Sequence, residues 1–238
     1  FSIGYDFKEN NLVDSYYDLL ASESRQASFI AIAKRDISYK HWFNLGRALT
    51  VVDGYKGLVS WSGTMFEYFM PNVIMPSYEY SLLEETYRFC LYSQKKYANK
   101  LGVPWGISES AFSLQDLNYN YQYKAFGIPW LGLKRGLKED VVVAPYASLI
   151  TINKNYKDVL RNMELLKDVG AYDKFGFYES IDYTPSRVTN DKRYEVVLTY
   201  MAHHQGLILL AINNLINKNI LQKRFSDNPE IKAVDILL

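Results

Sequence analysis

The sequence holds one cysteine, almost no net charge, no apolar run of membrane length and no methionine at its start. A lone Cys90 cannot close an internal disulfide or build a thiolate cluster, which excludes a disulfide scaffold. Its neighbours Tyr87, Arg88, Phe89 and Leu91 read as helix, so a packed thiol is expected. Lys plus Arg total 27 against 26 for Asp plus Glu, a formal charge of +1. No basic surplus exists to neutralise a run of phosphates, and no nucleic-acid partner is expected. The most apolar stretch, GLILLAINNLI from Gly206 to Ile216, is too short for a bilayer and is broken by Asn213 and Asn214. A start at Phe1, without a charged leader, apolar core and cleavage site, reads as a piece of a longer polypeptide. The remaining reading is one soluble globular domain over the 238 residues, 48% hydrophobic and 22% charged.

Aromatic residues are abundant: 21 Tyr, 12 Phe and 4 Trp, 16% of the chain. Rings with an apolar face and a polar tip suit sugar sites, and they equally suit buried helix interfaces. Helical periodicity dominates. Spacing and capping signals predict helices over 15–34, 41–48, 64–69, 81–100, 145–152, 156–169 and 194–217. The first has a small-residue centre, Ala21 to Ser28, that admits a close neighbour. The last shows two largely apolar faces, one through Val197, Met201, His204 and Ile208, the other through Val196, Tyr200, His203 and Leu207. That pattern predicts burial on all sides, as in the inner layer of a two-layer helical arrangement. Between Val103 and Ala144, and again over 172–191, glycines and prolines punctuate aromatics, and irregular loops or short strands are expected. These features describe an all-α protein of α/α-toroid type with loop-borne polar groups at one end.

Two carboxylates lie in loops of aromatics and glycines. Glu109 lies in GVPWGISES and Glu179 in FGFYESID. An acid in apolar surroundings holds its proton more tightly, and one in a hydrogen-bonded setting stays ionised, so the two could divide the work of glycosidic cleavage. Each also fits a plainer role as a loop cap accepting backbone N–H groups. Glu67, among Trp61, Phe66 and Tyr68, reads either as a substrate contact or as the ion-pair partner of Arg25 or Arg47. His203 and His204 are adjacent, so on a helix they point about 100° apart and cannot share one metal ion; a buried, hydrogen-bonded histidine at a cavity floor is expected instead. Lys134 and Arg135, in GLKRG, lack the pattern of a phosphate loop.

Several long motifs occur in order: SYYDLLASESRQASFIAIAKRDI (15–37), LVSWSGTMFEYFMP (58–71), GVPWGISES (102–110), YQYKAFGIPWLGLKRGL (121–137), VVAPYAS (142–148), FGFYESIDYT (175–184) and YMAHHQG (200–206). Together they closely resemble the glycoamylase-like domain of bacterial cyclic β-1,2-glucan synthases, related to endo-β-1,2-glucanases. The resemblance implies an (α/α)6 toroid acting on linear β-1,2-glucan and closing it into rings by transglycosylation. By that resemblance Glu109 and Glu179 are the expected catalytic pair. Trp61, Glu67, Trp105, Tyr178, Asp182, His203 and His204 are expected substrate contacts. No cofactor and no metal are expected. Ring closure by transfer needs a glycosyl intermediate that a sugar hydroxyl can attack, which favours retention. A phosphorolytic domain using Lys134 and Arg135, or a carbohydrate-binding platform without turnover, are the alternatives. The chain is short for twelve helices with their loops, so an incomplete ring is expected, with self-association through exposed apolar surface a possible result. The implied setting is a cytoplasmic part of a larger membrane-associated synthase.

Overall fold

Local caps fix the bounds of some of the helices and not of others. The structure, a computed structural model, describes residues 1–189 and 191–238. In chain order its helices are α1 (Ser24–Ala33), α2 (Lys40–Asn44), α3 (Met65–Phe69), α4 (Leu82–Leu101), α5 (Pro145–Leu149), α6 (Ile152–Asp168), α7 (Ala202–Ile216), α8 (Ile220–Ser226) and α9 (Pro229–Lys232). The Ser81 side chain accepts the Glu84 N–H to start α4, and Gly102, at φ 65°, ends it in the left-handed conformation that glycine adopts without strain. Thr64 and Glu67 form a reciprocal capping box on α3.

The chain is not all-α. Eleven short strands accompany the helices among the described residues: β1 (Tyr5–Asp6), β2 (Asn11–Leu12), β3 (Leu49–Val52), β4 (Tyr55–Leu58), β5 (Ser110–Gln115), β6 (Tyr121–Lys124), β7 (Val142–Val143), β8 (Tyr172–Asp173), β9 (Gly176–Phe177), β10 (Ser180–Asp182) and β11 (Glu195–Val197). Eight form antiparallel pairs, β1–β2, β3–β4, β5–β6 and β8–β9, and the other three a sheet ordered β11–β10–β7. The nine helices among the described residues are fewer than the twelve of a closed (α/α)6 ring.

Two predicted helices start too early. Residues 15–23 are not helical, because Ser22 and Ser24 hydroxyls turn back to the Leu19 carbonyl while the Leu20 N–H reaches Gly46. Short polar side chains that bond the local backbone compete with a helix in this way. Over 195–197 the chain pairs with β10 instead, Val197 opposite Ser180. The helix α7 is also not buried on all sides: His204, Leu207, Ile208 and Ala211 face inward, while Leu209 and Ile216 are 67% and 71% exposed.

One core joins these elements, with Phe29, Leu58, Met65, Phe69, Phe89 and Ile107 wholly or almost wholly buried. Cys90 is the packed thiol expected, its Sγ 3.7 Å from the Met65 sulfur. Arg25 is buried without a carboxylate partner. Its guanidinium donates to the carbonyls of Ser22 (2.9 Å), Glu67 (3.2 Å) and Tyr68 and to the Tyr87 hydroxyl (2.8 Å), tying α1 to α3 and α4. No helix of the described residues is long and apolar enough to cross a membrane.

Candidate active site

The loop carrying Glu109 is fixed by side chains from three helices and by a backbone N–H from a fourth. Asn162 of α6 accepts the Trp105 N–H (3.0 Å) and donates to the Trp105 carbonyl (2.7 Å). Gln94 of α4 does the same for Ile107, at 2.9 and 2.8 Å. Both amides are buried, so each supplies the donor and acceptor that an extended backbone would otherwise lack. Ser108 Oγ accepts the N–H of Phe66 in α3 (3.1 Å) and lies 2.9 Å from the Tyr146 hydroxyl, which donates to the Glu109 carbonyl at 2.9 Å. At Gly106, φ is 127° and a Cβ would press on the Ala144 carbonyl oxygen at 3.1 Å, a conformation and approach that require glycine.

Glu109 opens into a hollow of about 300 Å³ walled by Ile3, Tyr16, Tyr17, Trp61 and Ala125, with Glu23 and Glu67 as further acids. Trp61 is 36% exposed and presents its ring there. The lining residues include three glutamates and no lysine, arginine or histidine. Their settings differ. Glu67 is fully engaged by its own loop, accepting from Ser60 Oγ (2.8 Å), the Ser62 N–H (3.0 and 3.1 Å), the Thr64 N–H (3.0 Å) and Thr64 Oγ1 (3.2 Å). Neither arginine considered from the sequence pairs with it; Arg47 donates to the carbonyls of Trp42, Phe43 and Leu45. Glu23 is the residue sequence reasoning missed. It sits at the N-cap of α1 without capping it, and its Oε2 is buried with no hydrogen-bond partner. Burial, reinforced by the charges of Glu67 and Glu109, pushes its carboxyl up to about 7. Burial also raises Glu109, opposed by a hydrogen bond from the Tyr123 hydroxyl (2.9 Å) and by the His204 ring.

Glu109 and Glu179 do not share a surface. The Glu179 side chain is 0% exposed, accepting from the Ala111 N–H (3.2 Å) and paired with His204 Nδ1 (2.9 Å). His204 is itself buried, stacked on Tyr146 with centroids 3.6 Å apart. Trp105, expected at the substrate, lies in the core because Asn162 draws its backbone inward. Asp182 is wholly buried and bound to Arg187, Ser113 N–H and Thr184 N–H, a structural junction away from the hollow. Tyr178 stays at the surface, bonded to Asp173 (2.8 Å) and leaning on Tyr200. His203 is exposed against Phe66, its ring inclined 63° to that of His204. Among the described residues no three His, Cys, Asp or Glu side chains group as a metal site. Lys134 and Arg135 line a separate recess of about 70 Å³ with Glu139 and Asp140.

This chain is 42% identical, along 100% of its own length, to the cyclic β-(1,2)-glucan synthase NdvB of Rhizobium meliloti (strain 1021), of which it spans only 8%. Among solved structures it resembles the endo-β-1,2-glucanase of Chitinophaga pinensis, crystallised with sophorotriose and glucose, with a TM-score of 0.66 and 17% identity over 100% of this chain and 57% of that one. It also resembles a β-1,2-glucanase of Parabacteroides distasonis, with a TM-score of 0.55 and 16% identity over 91% of this chain and 30% of that one. At those identities the two structural likenesses are of fold alone. The Glycoamylase family matches residues 15–229, nearly the whole sequence. With that match and the identity to the synthase together, this chain belongs to the Glycoamylase family.

Proposed function

We propose that this chain is a glucan-active enzyme domain that cleaves β-1,2-glucan and transfers the cut end, with Glu23 as general acid and Glu109 as nucleophile. The observation that carries the reading is that both carboxyls line one aromatic-walled hollow in unlike environments. Glu23, held near neutrality by burial and by its two acidic neighbours, keeps a proton for the leaving oxygen. Glu109, with a hydroxyl donating to it, is the better anion. Trp61, Tyr16 and Tyr17 offer faces and hydroxyls suited to sugar rings. The identity to a synthase named for cyclic β-1,2-glucan supports that linkage as substrate, and transfer to a sugar hydroxyl supports retention through a glycosyl intermediate on Glu109. We further propose that the helices form part of an α/α toroid. Phosphorolysis is disfavoured, because the hollow has no basic side chain to hold phosphate beside three acids.

The test is product analysis on linear β-1,2-glucan, with and without phosphate, for the parent chain and for Glu23→Gln and Glu109→Gln. Both variants are expected to lose at least ~100-fold in turnover while still binding glucan, without dependence on phosphate. Retention is read from the anomer released first. Full activity in either variant removes that residue from the reaction. Binding without turnover by the parent would leave a carbohydrate-binding platform.

A further inference from the structure

Behind the hollow a buried His–Glu pair is left without a part in the reaction as proposed. Glu179 and His204 have side chains 0% and 1% exposed, and taking such a pair out of water is costly. Well-packed apolar residues would hold β10 against α7 at least as well, so joining those elements does not account for it. The pair continues outward: His204 Nε2 lies 3.5 Å from the Tyr123 hydroxyl, and that hydroxyl is 2.9 Å from Glu109 Oε1. We propose that Glu179, His204 and Tyr123 form a supporting arm that orients the Glu109 carboxylate and keeps a hydroxyl donor on it through turnover. The inference rests on the reading of Glu109 as the reacting carboxylate.

The geometry fixes the direction of the arm. Tyr123 has one hydroxyl proton, and the shorter of its two contacts assigns that proton to Glu109. The ring of His204 cannot rotate, because Tyr146 covers its face at an interplanar angle of 11° and Glu179 holds Nδ1. Glu179 in turn accepts the N–H of Ala111, two residues beyond Glu109 in the chain, so both ends of the arm grip the same loop. No proton needs to travel along it; these are positioning residues. The titratable groups facing Glu109 are Glu23 and Tyr17 across the hollow, Glu67 on α3, Tyr123 on β6, Tyr146 on α5 and His204 on α7. Of these, Tyr123 and His204 act against the rise that burial imposes on Glu109.

The experiment is the pH profile of kcat/KM on β-1,2-glucan for Tyr123→Phe, Glu179→Gln and the double variant, each with its melting temperature. Tyr123 is 46% exposed, so Tyr123→Phe tests the arm without disturbing the core. Removing the donor lets Glu109 rise, and the acid limb of the profile is expected to move up by about one pH unit, equivalent to one charge-assisted hydrogen bond. Glu179→Gln moves the limb in the same direction, and the double variant moves it no further than Tyr123→Phe alone. An unmoved acid limb in both single variants overturns the arm, whatever happens to melting. Recovery of Glu179→Gln, but not Glu109→Gln, by added azide also overturns it, because Glu179 would then be the nucleophile. If Glu109→Gln keeps full turnover, the functional reading fails, a result separate from the other two.

Discussion

At Glu23 the burial that suits an acid catalyst acts against the folded state. Its folded value of about 7 lies above the ordinary 4.5, so the penalty is absent below pH 4.5, grows as pH rises to 7 and is constant beyond. Glu23→Gln is therefore expected to stabilise the protein at pH 8 by ~1–3 kcal/mol, discounting for partial exposure, and to leave it unchanged at pH 4. Urea unfolding at the two pH values measures this, and equal gains at both would contradict it. Glu109 was legible from sequence, since a carboxylate between Trp105 and two serines in a glycine-punctuated loop is conspicuous. Glu23 was not. Its segment reads as helix interior, and only the turn of Ser22 and Ser24 onto Leu19 places it at a helix start facing a cavity. Glu179 looked like Glu109 in sequence because both lie among aromatics and glycines; spacing along the chain does not say which of two such acids faces solvent.

The helices whose ends were read correctly have caps built from neighbours within a few positions. Ser81 with Glu84, Gly102, and the Thr64–Glu67 box are of this kind. The two starts placed too early depend on distant partners: Gly46 for the 15–23 segment and Ser180 for Val197. No local pattern carries that information. The same holds for the amide clamps. Gln94 and Asn162 look like unremarkable polar residues in amphipathic helices, yet each satisfies both backbone groups of a residue in the loop that carries Glu109. Gln94→Leu strands the Ile107 N–H and carbonyl in the core and is expected to cost ~2–4 kcal/mol, with activity falling further than stability as Glu109 loses its seat. Thermal unfolding and turnover at a temperature where the variant stays folded would check both parts.

For the molecule as a whole, the ionisable groups pull stability in two directions. Against their burial, Lys154 and Ser77 hold Glu84 below its ordinary range, and Lys124 and Arg187 do the same for Asp140. Their contribution is present above their unfolded values of 4.5 and 3.8 and is lost as pH falls through the lower folded ones. Glu23 and Glu109, both raised, penalise the fold as pH climbs from 4.5. Across pH 5 to 8 the two raised acids are thus expected to lower stability by ~2 kcal/mol, offset in part below pH 6.5 by His41 and His203, whose burial depresses their folded values and so favours higher pH. A denaturation series across that range tests it, and a maximum above pH 7 would refute the assignment of the raised acids. Helical content and the exposed Leu209 and Ile216 of α7 belong to this scale too, and periodicity along the sequence pointed to the first but not the second.

Arg25 and Glu23 are two residues apart, one anchored on five neutral oxygens in the interior, the other aimed into the hollow. The proposed proton donor is therefore mounted beside a buried, multiply hydrogen-bonded anchor, whereas Ile3, Tyr16 and Tyr17 of the wall flank the short N-terminal hairpin β1–β2. Adaptation to longer, shorter or differently curved sugar chains has room to act on that wall while the chemical step stays unaltered.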